Sequence, residues 1–289
     1  MRMRAVLQTT ITVMAGAAAF AAARRRAGRI DLHGRTALIT GGSRGLGLAI
    51  ARELGRLGAH VTLAARDAAE LEAAREDLES RGIGASVLVC DLSTRGEGRR
   101  IVDQVIADRG RLDILVNNAG VIQIGPIEHM ETRDFEEAMD VHFWAPLQTM
   151  LSAMPAMRTQ GGGRIVNVSS ATVHETMAFA HLSVYSATKA ALEHFGKELR
   201  EEVRGDGIAV TTFVPGNTRT SFSAHWDAEA TAAAYAEWLV YGTYWTGLME
   251  PDVVGESIAA CFDLPAGCTL DFVYLRAVGK QRKVLQQGE

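Results

Sequence analysis

The run T-A-L-I-T-G-G-S-R-G-L-G, from Thr36 to Gly47, joins a short apolar stretch to a cluster of glycines. Ala37, Leu38 and Ile39 have the unbroken apolar character of a strand buried on both faces. Gly41, Gly42, Gly45 and Gly47 follow, and Leu46, Ile50, Leu54 and Leu57 then recur at helical spacing. A strand that passes into a helix through glycines brings backbone N–H groups and the positive end of a helix dipole to one point. That point suits a pyrophosphate, whose approach side chains on the turn would block. The spacing is Gly41-x-x-x-Gly45-x-Gly47 rather than G-x-G-x-x-G, and a tight strand–helix turn without a ligand would use glycines too.

Gly58 closes that helix, and Ala59–Ala65 reads as a second strand with Arg66 at its end. In a dinucleotide-binding sheet this position meets the adenosine ribose: an acid bonds the 2′-hydroxyl, whereas an arginine can hold a 2′-phosphate. Arg44 in the glycine turn is a second candidate cation; the competing reading of both arginines is a solvated surface. Leu71, Ala74 and Leu78 give the next helix one apolar stripe, which Gly82 ends. Ala85–Cys90 reads as the third strand, running into Asp91 and Leu92. A helix over Thr94–Asp108 and a strand over Leu112–Val116 lead to Asn117-Asn118-Ala119-Gly120. A long helical region then runs from about Thr132 to Met157, interrupted or bent near Pro146. Arg164–Val168 is the fifth strand and ends in Ser169-Ser170; after a loop over Ala171–Leu182, a helix runs from about Ser183 to Arg204. The sixth strand, Ile208–Val214, ends in Pro215-Gly216-Asn217-Thr218, and a helix near Pro251–Phe262 precedes a last strand near Leu270–Leu275.

This alternation with short connections predicts the α/β class: a Rossmann-like, doubly wound parallel sheet of about seven strands with helices on both faces. Ligands of such sheets bind at the carboxyl ends of the strands, where the glycine turn, Arg66, Asp91 and Asn117–Gly120 all fall. The chain has 289 residues, 47% of them hydrophobic, and no repeat or low-complexity linker divides residues 31–289, so they read as one domain. Net charge is −4, and six of the 30 basic residues are arginines within the acid-free first thirty positions. The remaining 24 basic residues face 34 acidic ones, which argues against a nucleic-acid partner. Cys90, Cys261 and Cys268 lack metal-ligand spacing, so no metal site is expected, and their odd number fits a reducing compartment.

Tyr185 and Lys189 lie four apart on one helix and therefore share a face. An ammonium held near a phenol favours the phenolate and moves its pKa toward the working range of an acid or base. Ser170, at the end of the preceding strand, can donate to a carbonyl oxygen that Tyr185 protonates. Taken together, Thr40-Gly41-x-x-x-Gly45-x-Gly47, Asn117-Asn118-Ala119-Gly120, Ser170 with Tyr185-x-x-x-Lys189, and Pro215-Gly216 form a highly specific set.

In these motifs the chain resembles the single-domain short-chain dehydrogenases/reductases over roughly Leu32 to Leu275. The resemblance implies a polarising serine in Ser170, an acid or base in Tyr185, and in Lys189 a residue that also holds the nicotinamide ribose. It implies a cofactor site made of Gly41, Ser43, Arg44, Gly45, Leu46, Gly47, Arg66, Asp91, Leu92, Asn118, Ala119, Gly120, Tyr185, Lys189, Pro215, Gly216, Thr218 and Thr220. Asp91 would contact adenine, and Thr218 and Thr220 would lie near the carboxamide and pyrophosphate. Arg44 and Arg66 fit the members that use NADP(H). The expected activity is interconversion of a carbonyl and a secondary alcohol on a small-molecule substrate, with a homo-oligomer as the expected assembly. A non-catalytic NADP(H) sensor or scaffold of the same fold is the competing reading.

Two positions depart from the family. Where it usually has an asparagine that helps to hold a water in a proton relay, this chain has His142, within Asp140-Val141-His142-Phe143-Trp144. Imidazole can pass a proton, so His142 is a candidate for the catalytic set, beside a packing or hydrogen-bonding role. The interval from Ser170 to Tyr185 is slightly long, which suggests a loop insertion carrying His174, Met177, Phe179 and His181, with Ser169 as the alternative serine.

A variable lid over the substrate pocket is expected at about 217–249, where Phe222, Trp226, Tyr235, Trp238, Leu239, Tyr241, Tyr244 and Trp245 gather. So aromatic a segment, with few charges, suits a bulky apolar substrate better than a phosphorylated or acidic one. Residues 1–30 read as a leader. Ala5 to Ala23 is uncharged and as a helix would span roughly 28 Å, about one hydrocarbon core. A membrane anchor through residues 5–23, a cleaved leader and a disordered tail compete. In an anchor, Arg24–Arg26 and Arg29 outnumber Arg2 and Arg4, which would place the catalytic domain on the cytoplasmic side.

Overall fold

β1 (Thr36–Thr40) is buried along its whole length, and the sheet extends from it in both directions. The computed structural model describes residues 30–175, 179–220, 222, 226–241, 247–265 and 267–278. To one side of β1 lie β2 (His60–Ala65) and β3 (Ala85–Val89); to the other lie β4 (Ile114–Asn117), β5 (Gly163–Val168), β6 (Ile208–Pro215) and β7 (Phe272–Leu275). The order is β3-β2-β1-β4-β5-β6-β7 and every pairing is parallel. The chain reverses its direction of travel across the sheet between β1 and β4, and this switch opens a crevice at the carboxyl ends of those strands.

Alternation along each strand divides the core into two layers. Ala37 and Ile39 face one side with Ile50 and Leu54 of α1 (Gly45–Arg56), Leu71 and Leu78 of α2 (Ala68–Ser80), and Val254 and Ile258 of α8 (Pro251–Ala260). Leu38 and Leu115 face the other side with Ile101 and Val105 of α3 (Glu97–Arg109), Met150 of α5 (Ala145–Thr159), and Leu192 and Leu199 of α6 (Ser183–Val203). The doubly wound, seven-stranded architecture is therefore the one that the alternation of sequence patterns predicts.

The long helical region after β4 holds three pieces: α4 (Thr132–Met139), a π-helical turn (Asp140–Trp144), and α5. Pro146 has no N–H to return to the carbonyl of His142, which explains a break in the ladder at this point. The Ala145 N–H instead reaches the Asp140 carbonyl, five residues back. A further helix, α7 (Ala228–Tyr241), lies in the lid. Buried Trp238 on α7 donates its indole N–H to the Ala180 carbonyl at 2.7 Å, and His181 Nε2 lies 3.1 Å from Glu237. The lid is thus tied to the loop that follows β5.

Residues 5–23 lie outside the described residues, as do Met177, Tyr244 and Trp245 and the side chains of Leu239 and Tyr241. Among the described residues, no helix is long and apolar enough to cross a membrane.

Candidate active site

Two clamps shape the glycine turn. Thr40 Oγ1 accepts the N–H groups of Asn118 (3.0 Å) and Ala119 (3.1 Å), while the Asn118 amide donates to the carbonyls of Thr40 and Gly41. The Asn117-Asn118-Ala119-Gly120 segment thereby braces the turn from the neighbouring strand. Asn117 itself is buried and bonds to Asn167 of β5 and Thr149 of α5. A Cβ added to Gly47 would stand 2.1 Å from the Gly41 carbonyl oxygen, so α1 can start this close to β1 only without a side chain there. No side chain caps α1 at Arg44, and no acid sits in its first turn, so its first N–H groups are open to an anion.

Beyond the turn, Arg44 Nη1 donates to Glu70 Oε1 at 2.7 Å, and Ser43 Oγ donates to Glu70 Oε2 at 3.0 Å. Arg66 stands at the end of β2 with its side chain 64% exposed; its nearest carboxylate is Glu137 at 3.9 Å. Asp91 is exposed and accepts from the Ser93 N–H and hydroxyl, whereas Leu92 is buried beneath it.

At the other end of the crevice, Tyr185 and Ser170 both line the cleft. Ser170 Oγ accepts from the N–H (3.3 Å) and hydroxyl (3.1 Å) of Thr172, which fixes its orientation. The Tyr185 side chain is half-buried and lines the crevice; desolvation raises its pKa, and the neighbouring Ser170 hydroxyl opposes the rise. Lys189 is 3% exposed, donates to the Val168 carbonyl at 2.9 Å, and holds its ammonium 6.0 Å from the centre of the Tyr185 ring. Burial pulls the lysine pKa down to about 8, and the charge of Glu193 resists that pull. The Ser169 hydroxyl points elsewhere, to the Glu193 carboxylate, which also holds His174 Nε2 at 2.8 Å.

His142 is completely buried on the π-helical turn. Its Nε2 accepts the Val121 N–H at 3.0 Å, so Nδ1 carries the proton and meets Thr188 Oγ1 at 2.8 Å. Thr188 Oγ1 in turn donates to the Tyr185 carbonyl at 2.9 Å, and the imidazole ring lies edge-on to the Tyr185 ring at 5.4 Å. Burial, and then the positive charge of Lys189, hold the imidazole pKa well below its ordinary value. To pass a proton, the neutral ring would first have to break one of these bonds.

Every residue expected from the sequence, His142 excepted, lines one cleft of about 850 Å³. Pro215 and Gly216 form its wall, with Thr218 Oγ1 donating to the Gly216 carbonyl at 2.9 Å, and Thr220 faces the glycine turn. Over the Tyr185 end the lining is apolar: Ile122, Phe179, Leu182, Phe222, Trp226 and Trp238. Sequence reading missed Glu70 and Thr188. Asp67-x-x-Glu70 looks like an ordinary helix start, and Asp67 does accept the Glu70 N–H at 2.9 Å, but the glutamate side chain crosses to another element. Thr188 carried no signal until His142 was seen beside it.

A model of the short chain dehydrogenase family matches residues 35–231. A gluconate 5-dehydrogenase of Gluconobacter oxydans is 32% identical over 212 residues, which cover 72% of this chain and 80% of that protein. A glycine betaine reductase of Emericella nidulans is 36% identical over 200 residues; the match covers 69% of this chain but only 16% of that much longer relative. Among solved structures, a 3-oxoacyl (acyl-carrier-protein) reductase from Agrobacterium tumefaciens with NADP bound superposes with a TM-score of 0.74 at 27% identity, covering 86% of this chain and 95% of its own. The sequence match takes in the glycine turn, Asn117–Gly120, Ser170, Tyr185 and Lys189 together, and on it the chain belongs to the short-chain dehydrogenase family.

Proposed function

We propose that the chain is an NADP(H)-dependent oxidoreductase that interconverts a carbonyl and a secondary alcohol on a bulky apolar substrate. One observation carries this reading. The Tyr185 phenol, beside Ser170 and backed by buried Lys189, stands at one end of a cleft whose other end presents Arg44 and Arg66. The residues fit a phosphorylated dinucleotide: the glycine turn leaves backbone N–H groups uncovered, and a Cβ at Gly45 would push toward Thr220, 3.5 Å away, narrowing the cleft between them. Arg44 and Arg66 supply the cations for a 2′-phosphate. The NADP-bound reductase of the same fold supports this choice of cofactor.

When bound, the nicotinamide supplies or accepts the hydride. In the reductive direction Tyr185 gives its hydroxyl proton to the carbonyl oxygen, and the burial that raises its pKa keeps that proton in place until it is needed. Ser170 steadies the same oxygen as negative charge develops on it. In the oxidative direction the phenolate accepts the alcohol proton, and the Lys189 ammonium favours that anion. His142 acts as a positioning residue: it fastens Val121, at the edge of the cleft, to Thr188 and through it to the turn of α6 that bears Tyr185.

The aromatic lining supports an apolar substrate, because Phe179, Phe222, Trp226 and Trp238 offer large surfaces and no charge. The test is NADPH consumption with a panel of ketones spanning small polar to large apolar compounds. Turnover in the wild type and none in Tyr185→Phe is expected. NADPH binding without turnover of any member would overturn the reading in favour of a sensor.

A further inference from the structure

We propose that Glu70 sets selectivity for the 2′-phosphate of the dinucleotide, by competing with that phosphate for Ser43 and Arg44. The inference rests on the cofactor reading above and adds a residue that works against the two arginines. Both donors of the glycine turn on this side are held by one carboxylate: the Ser43 hydroxyl at 3.0 Å on one oxygen, an Arg44 N–H at 2.7 Å on the other. Glu70 is fixed at the start of α2, where Asp67 accepts its N–H, so the helix aims the side chain across to the turn. Its side chain is 36% exposed and that of Arg44 45%, so the pair can open into solvent without burying a charge.

A phosphate monoester carries about −1.5 to −2 charges near neutral pH and seeks the same hydroxyl and guanidinium donors as a carboxylate. Arg66, paired only at 3.9 Å, is the more loosely held cation of the two. A 2′-phosphate therefore meets Arg66 readily, but gains Ser43 and Arg44 only as Glu70 leaves them. A bare 2′-hydroxyl is not repelled, since it donates to a carboxylate. Glu70 thus lowers affinity for the phosphorylated nucleotide while sparing the unphosphorylated one, and narrows the preference that Arg44 and Arg66 establish.

Calorimetry on the full chain, wild type and Glu70→Gln, tests this with 2′,5′-ADP and 5′-AMP as probes that differ in the 2′-phosphate. Glu70→Gln should tighten 2′,5′-ADP about three- to fivefold, the scale of one exposed ion pair, and leave 5′-AMP within about twofold. Glu70→Ala should shift the ratio of the two dissociation constants the same way. In an Arg44→Gln background the gain should shrink, because the contested donor is gone. An unchanged ratio, or weaker 2′,5′-ADP binding in both variants, would overturn the proposal and make Glu70 a brace for Arg44. NADP+ and NAD+ are titrated into the wild type alongside. A wild type that prefers NAD+ would sink the cofactor reading, while the ratio of the two probes would still decide the role of Glu70.

Discussion

Lys189 brings an ammonium into the core, where it donates to the Val168 carbonyl, and its pKa falls from 10.5 to about 8 because burial disfavours the charge. The folded chain gives up this proton near pH 8 and the unfolded chain near 10.5, so between those values the unfolded state binds more protons and this group adds stability as pH rises. Below about pH 8 the folded state bears the full cost of the charge. Lys189→Met has no such titration. Its stability advantage over the wild type in urea should shrink by up to about 3 kcal/mol across that window, and a constant difference would show that water reaches the ammonium. Tyr185→Phe keeps the ring and its packing. It should lose at least about a hundredfold in kcat while NADPH affinity stays within about twofold; a smaller loss would require another acid. His142→Asn shortens a side chain that spans Val121 and Thr188. Stability should fall by about 1–3 kcal/mol for the bonds left unmade, while the pH–rate profile keeps its shape. A displaced profile would restore the histidine to the proton path.

Elements whose role is set by local chemistry were legible in the sequence. β1, α1 and the turn between them followed from apolar run, glycines and helical stripe, and all seven strands fall where the patterns put them, with ends displaced by a residue or two. α3 begins at Glu97, after Gly96 in the left-handed region, rather than at Thr94, because the preceding residues form a turn of their own. α7 was not read as a helix: its alanines and aromatic residues show no apolar stripe, and Trp238 is buried while Tyr235, three residues earlier, is 41% exposed. The links of Glu70 to Arg44 and His142 to Thr188 were invisible because each joins segments 26 or more residues apart, which no local pattern reports. The α1 turn itself invites a test. Gly47→Ala drives a methyl group against the Gly41 carbonyl and the Asn118 amide, both held in the clamp with Thr40. A loss of about 1–3 kcal/mol is expected, together with weakened cofactor binding, and wild-type stability and affinity in this variant would refute the close approach.

Across the whole molecule, the substrate end differs from the cofactor end in how it is built. The cofactor end rests on strand termini that belong to the two sheet cores. The substrate end is closed by a third, separate apolar cluster, in which Leu182, Ala234 and Trp238 pack with Ile122, Ile124, Phe179 and Trp226. Its ties to the body include the Trp238 bond to Ala180 and the approach of His181 to Glu237, both on the segment that leads into α6. An apolar wall of this kind rewards substrates by the surface they bury. In a series of methyl ketones of increasing alkyl length, each methylene that enters the cleft should add up to about 0.8 kcal/mol, or about fourfold in kcat/KM, until the space is full. Phe222, whose ring centre is 6.3 Å from that of Tyr185, stands where the chain would pass, and Phe222→Ala should move the plateau to longer ketones without changing the slope before it. A series that is flat from its first member, or one that favours small polar ketones, would show that the aromatic residues serve to pack the lid and that the substrate is held elsewhere.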